Sequence, residues 1–177
     1  FGFTNSSGAY TSESGLPAGT YYAKTSNSVG YIDELYNNVA CPGFGCTLAG
    51  GSTVSVALGA TTSGVDFALT PGGRVSGTVA DASSGAPLGS VTVDIHNASG
   101  TYVATGISDS LGNFTTRAGL PTGTYYAKTR NAQGYADELY DNLPCSGYGC
   151  ATTTGTPIGV TAGGTPGGIN FGLAGGG

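Results

Sequence analysis

The residues of this chain that could do chemistry are few, and most of them come twice. Cys41 and Cys46 enclose four residues, and so do Cys145 and Cys150. At that spacing, in small polar loops, we expect one disulfide inside each loop. A zinc site would need further Cys or His ligands, and the only His is His96. A C-x-x-C redox pair is absent. A ring this small adds roughly 2 kcal/mol on chain-entropy grounds, so its main effect is to stiffen the loop. The acidic runs Asp33-Glu34 and Asp137-Glu138, with Asp141, could offer oxygens to Ca²⁺, but they follow no EF-hand spacing. Carboxylates that keep a surface loop wet are the plainer reading. One His and no G-x-S-x-G leave no nucleophilic triad, and nothing sets two carboxylates across a cleft. We expect no catalytic residue, no metal and no cofactor.

Other side chains invite recognition rather than catalysis. Tyr31, Tyr36 and Phe44, with their counterparts Tyr135, Tyr140 and Tyr148, crowd the loops that hold the cysteines. Tyrosine gives a large contact area at low entropic cost, so these rings suit a ligand patch or a contact between units. Burial of surface between adjacent repeats favours the second use. Asn5, Asn97 and Asn113 each begin an N-x-S/T triplet in or next to a turn and are glycosylation candidates.

These groups come in pairs because the sequence repeats. Residues 1–73 align without a gap on 105–177 at an offset of 104, and 35 of the 73 pairs are identical. Such a period has to be recognised before anything else. Residues 74–177 make one complete unit, and 1–73 make a second that lacks the counterpart of Arg74–Ala104. Two expectations follow. Either the chain is a window on a longer array, or something else supplies the missing strands. Without them, residues 1–73 expose sheet edges and an open core.

Composition sets the class. With 34 Gly, 8% charged residues, and neither Met nor Trp, the chain resembles neither a cytosolic enzyme nor a solvated disordered segment. The net charge is −5 with five Lys and Arg, so no basic patch exists for nucleic acid or an anionic membrane. No stretch approaches the roughly 20 apolar residues of a membrane span. Scarce Lys, abundant Ser and Thr, and paired cysteines point outside the cell.

Period-two patterning supplies the elements. Arg74–Val79 alternates, and Ser90–His96 is cleaner, with Val91, Val93 and Ile95 directed inward. Strands are also expected at 101–108, 114–117, 124–129, 156–161 and 169–173, separated by turn residues. Gly134–Cys150 reads as an irregular insertion with a helical turn at Asp137–Tyr140. Thr70–Gly73 is a short linker that sets neighbouring units close together. Seven short strands in about 100 residues indicate an all-β, two-sheet sandwich of immunoglobulin-like plan.

Gly77–Asp81 (GTVAD), Gly85–Val93 (GAPLGSVTV), the Asp109–Phe114 turn and LPxGTYY together resemble the carboxypeptidase regulatory-like domains. These share a transthyretin-like sandwich and are similar to the B-type repeats of bacterial surface adhesins. The resemblance covers the 104-residue unit apart from the cysteine loop. It implies a small extracellular accessory module, often in tandem. Such adhesin repeats can carry a Lys–Asx isopeptide, but here Lys24 and Lys128 fall on the fifth strand, opposite Asp66 and Asn170 on the last. Where that family has its Lys, this chain has Arg74.

The expectation for function is therefore structural: a repeat of an extracellular or cell-surface fibre or stalk, its partners being copies of itself or adjacent repeats. The alternatives are an adhesin or glycan-binding module acting through the tyrosine-rich loop, and an accessory domain of a secreted enzyme. Aromatics lining an open groove favour binding; aromatics packed against protein favour the structural role.

Overall fold

The computed structural model describes residues 1–43, 46–145 and 149–176. Phe44 and Tyr148, expected to join the loop aromatics, lie outside the described residues. The fold is all-β, with 3₁₀ turns at Leu48–Gly50 and Thr152–Thr154.

The second copy folds as two facing sheets. One holds β5 (Ser76–Asp81) between β8 (Asn113–Thr115), antiparallel to it, and β13 (Phe171–Leu173), parallel to it. The other runs from β7 (Tyr102–Ile107) through β6 (Thr92–Asn97) to β9 (Gly123–Arg130). The far edge of β9 is shared by β12 (Ile158–Val160) at Gly123–Tyr125 and by β10 (Glu138–Leu139) at Lys128. Alternation does the work on β9: Tyr125, Ala127 and Thr129 are buried while their neighbours are not. With Val79, Val93, Ile95, Phe114 and Phe171 they fill the space between the sheets. Tyr125 is the inward member of its pair, and its hydroxyl donates to the Pro121 carbonyl at 2.9 Å.

One sequence expectation fails. Asp137–Tyr140 is no helical turn; β10 folds back antiparallel on β11 (Leu143–Pro144). The reversal needs two consecutive left-handed residues, and Asp141 (φ 75°) and Asn142 (φ 59°) supply them. Asx residues tolerate that region better than most. The first copy makes the same hairpin from β2 (Glu34–Leu35) and β3 (Val39–Ala40) through Asn37 and Asn38. Among the described residues of 74–177 there are seven strands besides this hairpin.

The first copy is sparser. β1 (Gly19–Tyr22) pairs with β4 (Thr53–Val56), Gly19 opposite Val56, as Gly123 lies opposite Val160 in the second copy. Residues 65–69, aligned with the β13 region, belong to no strand.

Candidate functional site

The boundary between the copies is built from backbone. Asn27 organises the loop before it: its Oδ1 accepts from the amides of Val29 and Tyr31, both at 3.1 Å. Its Nδ2 donates to the Tyr31 carbonyl at 3.0 Å and to Asp33 Oδ1 at 2.7 Å. That fixes Gly30–Ile32 as a short extended edge. The linker lies along it, Gly72 N–H donating to the Gly30 carbonyl at 2.9 Å and Ile32 N–H to the Thr70 carbonyl at 3.0 Å. From the other side Gly73 and Leu120 exchange two 2.8 Å bonds, and Gly119 N–H donates to the Tyr31 carbonyl at 3.1 Å. The linker thus makes an isolated bridge on each side, at Pro71 and at Gly73, and Gly72 and Gly73 are buried.

Side chains close the joint. The Arg74 guanidinium donates to the carbonyls of Thr116 and Arg117 at 2.9 and 3.2 Å, and its stem covers Gly30. A Cβ added at Gly30 would sit 3.2 Å from Arg74 Nε, and φ there is +90°, so glycine is required twice over. Gly43, in the first cysteine loop, lies against the backbone of Val103, and Lys24 Nζ donates to its carbonyl. A groove of about 380 Å³ remains between the copies, with Lys24, Asp33, Tyr102, Thr105 and Arg117 in its walls.

Half of this joint is built a second time. Asn131 Oδ1 accepts from Gln133 and Tyr135, and its Nδ2 donates to the Tyr135 carbonyl and to Asp137 Oδ1. Gly176 N–H donates to the Gly134 carbonyl at 2.7 Å and Ala136 N–H to the Ala174 carbonyl at 2.8 Å. Asn27, Gly30, Tyr31 and Asp33 recur as Asn131, Gly134, Tyr135 and Asp137, while Ser26, Ser28, Val29 and Ile32 do not. Sequence reasoning overlooked the two asparagines, whose persistence among changing neighbours was the available signal.

The singled-out side chains scatter around this joint. Cys41 is bonded to Cys46 and Cys145 to Cys150, with Cα–Cα distances of 5.3 and 5.5 Å. Tyr140 packs edge-on against Phe171, and Tyr36 against Phe67. The Tyr135 hydroxyl donates to Asp81 Oδ2 at 2.9 Å, which raises the Tyr135 pKa. Tyr31 has no Asp81 counterpart among residues 1–73; its ring is 41% exposed while its backbone pairs with Pro71. The described loop aromatics therefore pack on their own copy or mark the boundary.

The acidic residues divide, Asp137 being half-buried and Asp141 exposed. Asp33, Glu34 and Glu138 are buried. The backbone N–H groups of Glu34 and Glu138 donate to the hydroxyl oxygens of Thr25 and Thr129 respectively, each at 2.9 Å. The Glu138 carboxylate accepts Gly172 N–H at 3.1 Å, and burial raises its pKa against that hydrogen bond. Glu34 Oε1 is buried with no partner. Among the described residues no three His, Cys, Asp or Glu side chains gather as metal ligands.

The glycosylation candidates sit at the surface. Asn5 and Asn97 each fold their Oδ1 onto a turn, accepting from Ser7 and Ser99 hydroxyls at 2.7 Å, and Asn113 is exposed at the start of β8. Lys128 is on β9, whereas Asn170 precedes β13 in the other sheet, and its Oδ1 accepts from Thr78. No described helix is long and apolar enough to cross a membrane.

No protein-family model matches the chain, and no curated protein matches it. Among solved structures, the group B streptococcus pilus 2b backbone protein is similar over 91% of this chain and 53% of its own, at 14% identity and a TM-score of 0.37. The chain spans about half the length of that protein. A likeness this distant decides nothing about activity.

Proposed function

We propose that this chain is a structural repeat of an extracellular or cell-surface fibre or stalk. Its units are a partial β-sandwich repeat at 1–73 and a complete one at 74–177. We assign the complete unit the seven-stranded transthyretin-like plan, with β10–β11 as an inserted hairpin; earlier residues of a longer chain, or strand addition from a neighbouring subunit, close the partial one. Copies of itself or adjacent repeats are its partners. The observation that carries this reading is the joint. A linker hydrogen-bonded on both edges holds one copy rigidly on the next, and residues 174–176 repeat its pairing along Gly134–Ala136. A module meant to bind and swivel has no use for such a connection. The packing of Tyr36, Tyr135 and Tyr140 also favours a structural role over glycan binding. Intramolecular disulfides suit an oxidising exterior.

Electron microscopy of native material tests the reading. Filaments with an axial repeat commensurate with one 104-residue unit are expected. Discrete particles whose units sample many relative orientations would overturn it.

A further inference from the structure

We propose that the complete unit is a force-bearing clamp: tension passed along the chain is taken in shear by the parallel ladder between β5 and β13. The inference deepens the fibre reading and takes its purpose from it, but the geometry lies wholly within residues 74–173.

The direction of the ladder decides how it is loaded. β5 follows the linker directly and β13 is the last described strand of the unit, so tension in the backbone reaches the fold through these two. They run parallel, with Phe171 beside Val79, Gly172 beside Ala80 and Leu173 beside Asp81. Pairing continues beyond the strands themselves. Arg74 N–H donates to the Gly164 carbonyl at 2.8 Å and Ser76 N–H to the Pro166 carbonyl at 3.1 Å. Ile169 N–H donates to the Ser76 carbonyl at 3.2 Å and Ala82 N–H to the Leu173 carbonyl at 3.0 Å. Tension therefore enters at the Arg74 end of the seam and leaves at the Leu173 end, which is the opposite one. Pulled that way, the strands have to slide past each other, and all the bonds along the seam are strained together. With β13 antiparallel, both loaded ends would lie at the same edge, and the bonds would open one after another.

Equilibrium stability does not account for this arrangement. Parallel pairing is slightly weaker per residue than antiparallel pairing, and β13 is only 3 residues long. Survival under a pull is set instead by the unfolding rate, and there the direction of loading matters.

Side chains brace the same seam. Asn170 Oδ1 accepts from the Thr78 N–H and from the Thr78 hydroxyl, both at 3.0 Å, and so ties the approach to β13 to the middle of β5. From the facing sheet, Glu138 accepts the Gly172 N–H at 3.1 Å. Glycine at position 77 lets the two backbones close up, because a Cβ there would collide with the Ile169 carbonyl. Ile169, Phe171 and Leu173 are buried, so a slide also drags three apolar side chains out of the core. Among the described residues no strand lies on the far side of β13, so its backbone ladder is with β5 alone.

The test is single-molecule force spectroscopy on the full chain, with its disulfides intact, pulled in two directions. In the first, handles at the two ends load the unit through Arg74 and Leu173. In the second, the N-terminal handle moves to a Leu111→Cys thiol. Leu111 is exposed and lies toward the Leu173 end of the sheet, since Val79 N–H donates to the Gly112 carbonyl. The first pull releases 74–173 in a step of about 300 Å and the second releases 111–173 in one of about 200 Å, at roughly 3.4 Å per residue. At a fixed force, unfolding should be at least about tenfold slower in the first direction than in the second. Asn170→Ala, a change at an exposed residue, should speed unfolding about fivefold in the first direction and less than about twofold in the second. Equal rates in the two directions, faster unfolding in the first, or a variant that acts equally in both would overturn the clamp. Filaments built from a unit with no direction dependence leave the fibre reading standing and remove this one; a direction-dependent unit from material that forms no filaments does the reverse.

Discussion

The two copies share GTYYAKT, the cysteine loop, the hairpin and the ending Phe-x-Leu, yet the described residues of 74–177 form two facing sheets and those of 1–73 form two separate strand pairs. The difference lies in two strands. β5 and β6 are the central strands of their sheets, and each organises neighbours that are distant in sequence. Remove their counterparts and Phe67–Leu69 loses its ladder, Glu34 loses its donor and Leu16 its cover. The local loop survives, because its bonds join residues within a few positions of each other: Asn27 to Asp33, Thr25 to Glu34, Cys41 to Cys46. Local chemistry is the same in both copies; only the long-range core differs.

Matched substitutions break the comparison most sharply. Phe171→Ala should cost about 3–5 kcal/mol of unfolding free energy, as for a buried aromatic, and Phe67→Ala less than half of that. Urea titrations of each variant, followed by circular dichroism, decide it. Equal losses would mean that the first copy is already closed in solution. Reducing both disulfides should cost roughly 2 kcal/mol or less for each ring. Faster hydrogen exchange is expected first around Gly43 and Val103, where the loop touches the next copy.

Gly30→Ala and Gly134→Ala both force a non-glycine residue to positive φ, at about 1 kcal/mol each. Only the first also pushes on Arg74, so the excess loss at Gly30, read from paired melts, measures that packing. Glu138→Gln should be neutral or stabilising at neutral pH by less than about 1 kcal/mol, because burial opposes the charge and glutamine keeps the acceptor for Gly172.

Titration gives the gentlest test. Burial raises the Glu138 pKa, so its contribution to stability is intact below about pH 4.3, the unfolded value, and is lost as pH rises through the folded one. Asp81 behaves oppositely. The Ser83 hydroxyl above all, then the Ser84 amide, the Tyr135 hydroxyl and the Ser83 amide, hold its carboxyl well below the usual range. Its contribution is present above about pH 3.9 and is lost as pH falls. Melts of Asp81→Asn and Glu138→Gln between pH 3 and pH 7 should flatten opposite flanks of the profile.

Much of this was legible in the sequence. The offset repeat located the missing segment, and period-two runs located the strands that carry Val93, Ile95, Tyr125 and Ala127. The hairpin at Asp141-Asn142 was missed because Leu139 and Tyr140 suit a helical turn as well as a strand, and only backbone φ separates them. Asp33, Glu34 and Glu138 were expected at the surface because carboxylates usually are. Asp33 accepts from Asn27 and Glu138 from Gly172, while Glu34 Oε1 has no partner, and Gly172 is a tertiary partner that no local pattern announces.

The doubly paired linker has a consequence for durability. Tandem proteins are usually cut between their units, where an exposed strand can be drawn into a protease cleft. Here the Gly72 and Gly73 amides and the Thr70 and Gly73 carbonyls are already bonded to Gly30 and Ile32 on one side and Leu120 on the other, with both glycines buried. The seam is therefore the sheltered place, and the first nick should fall among the exposed residues 1–18, leaving the connection between units uncut.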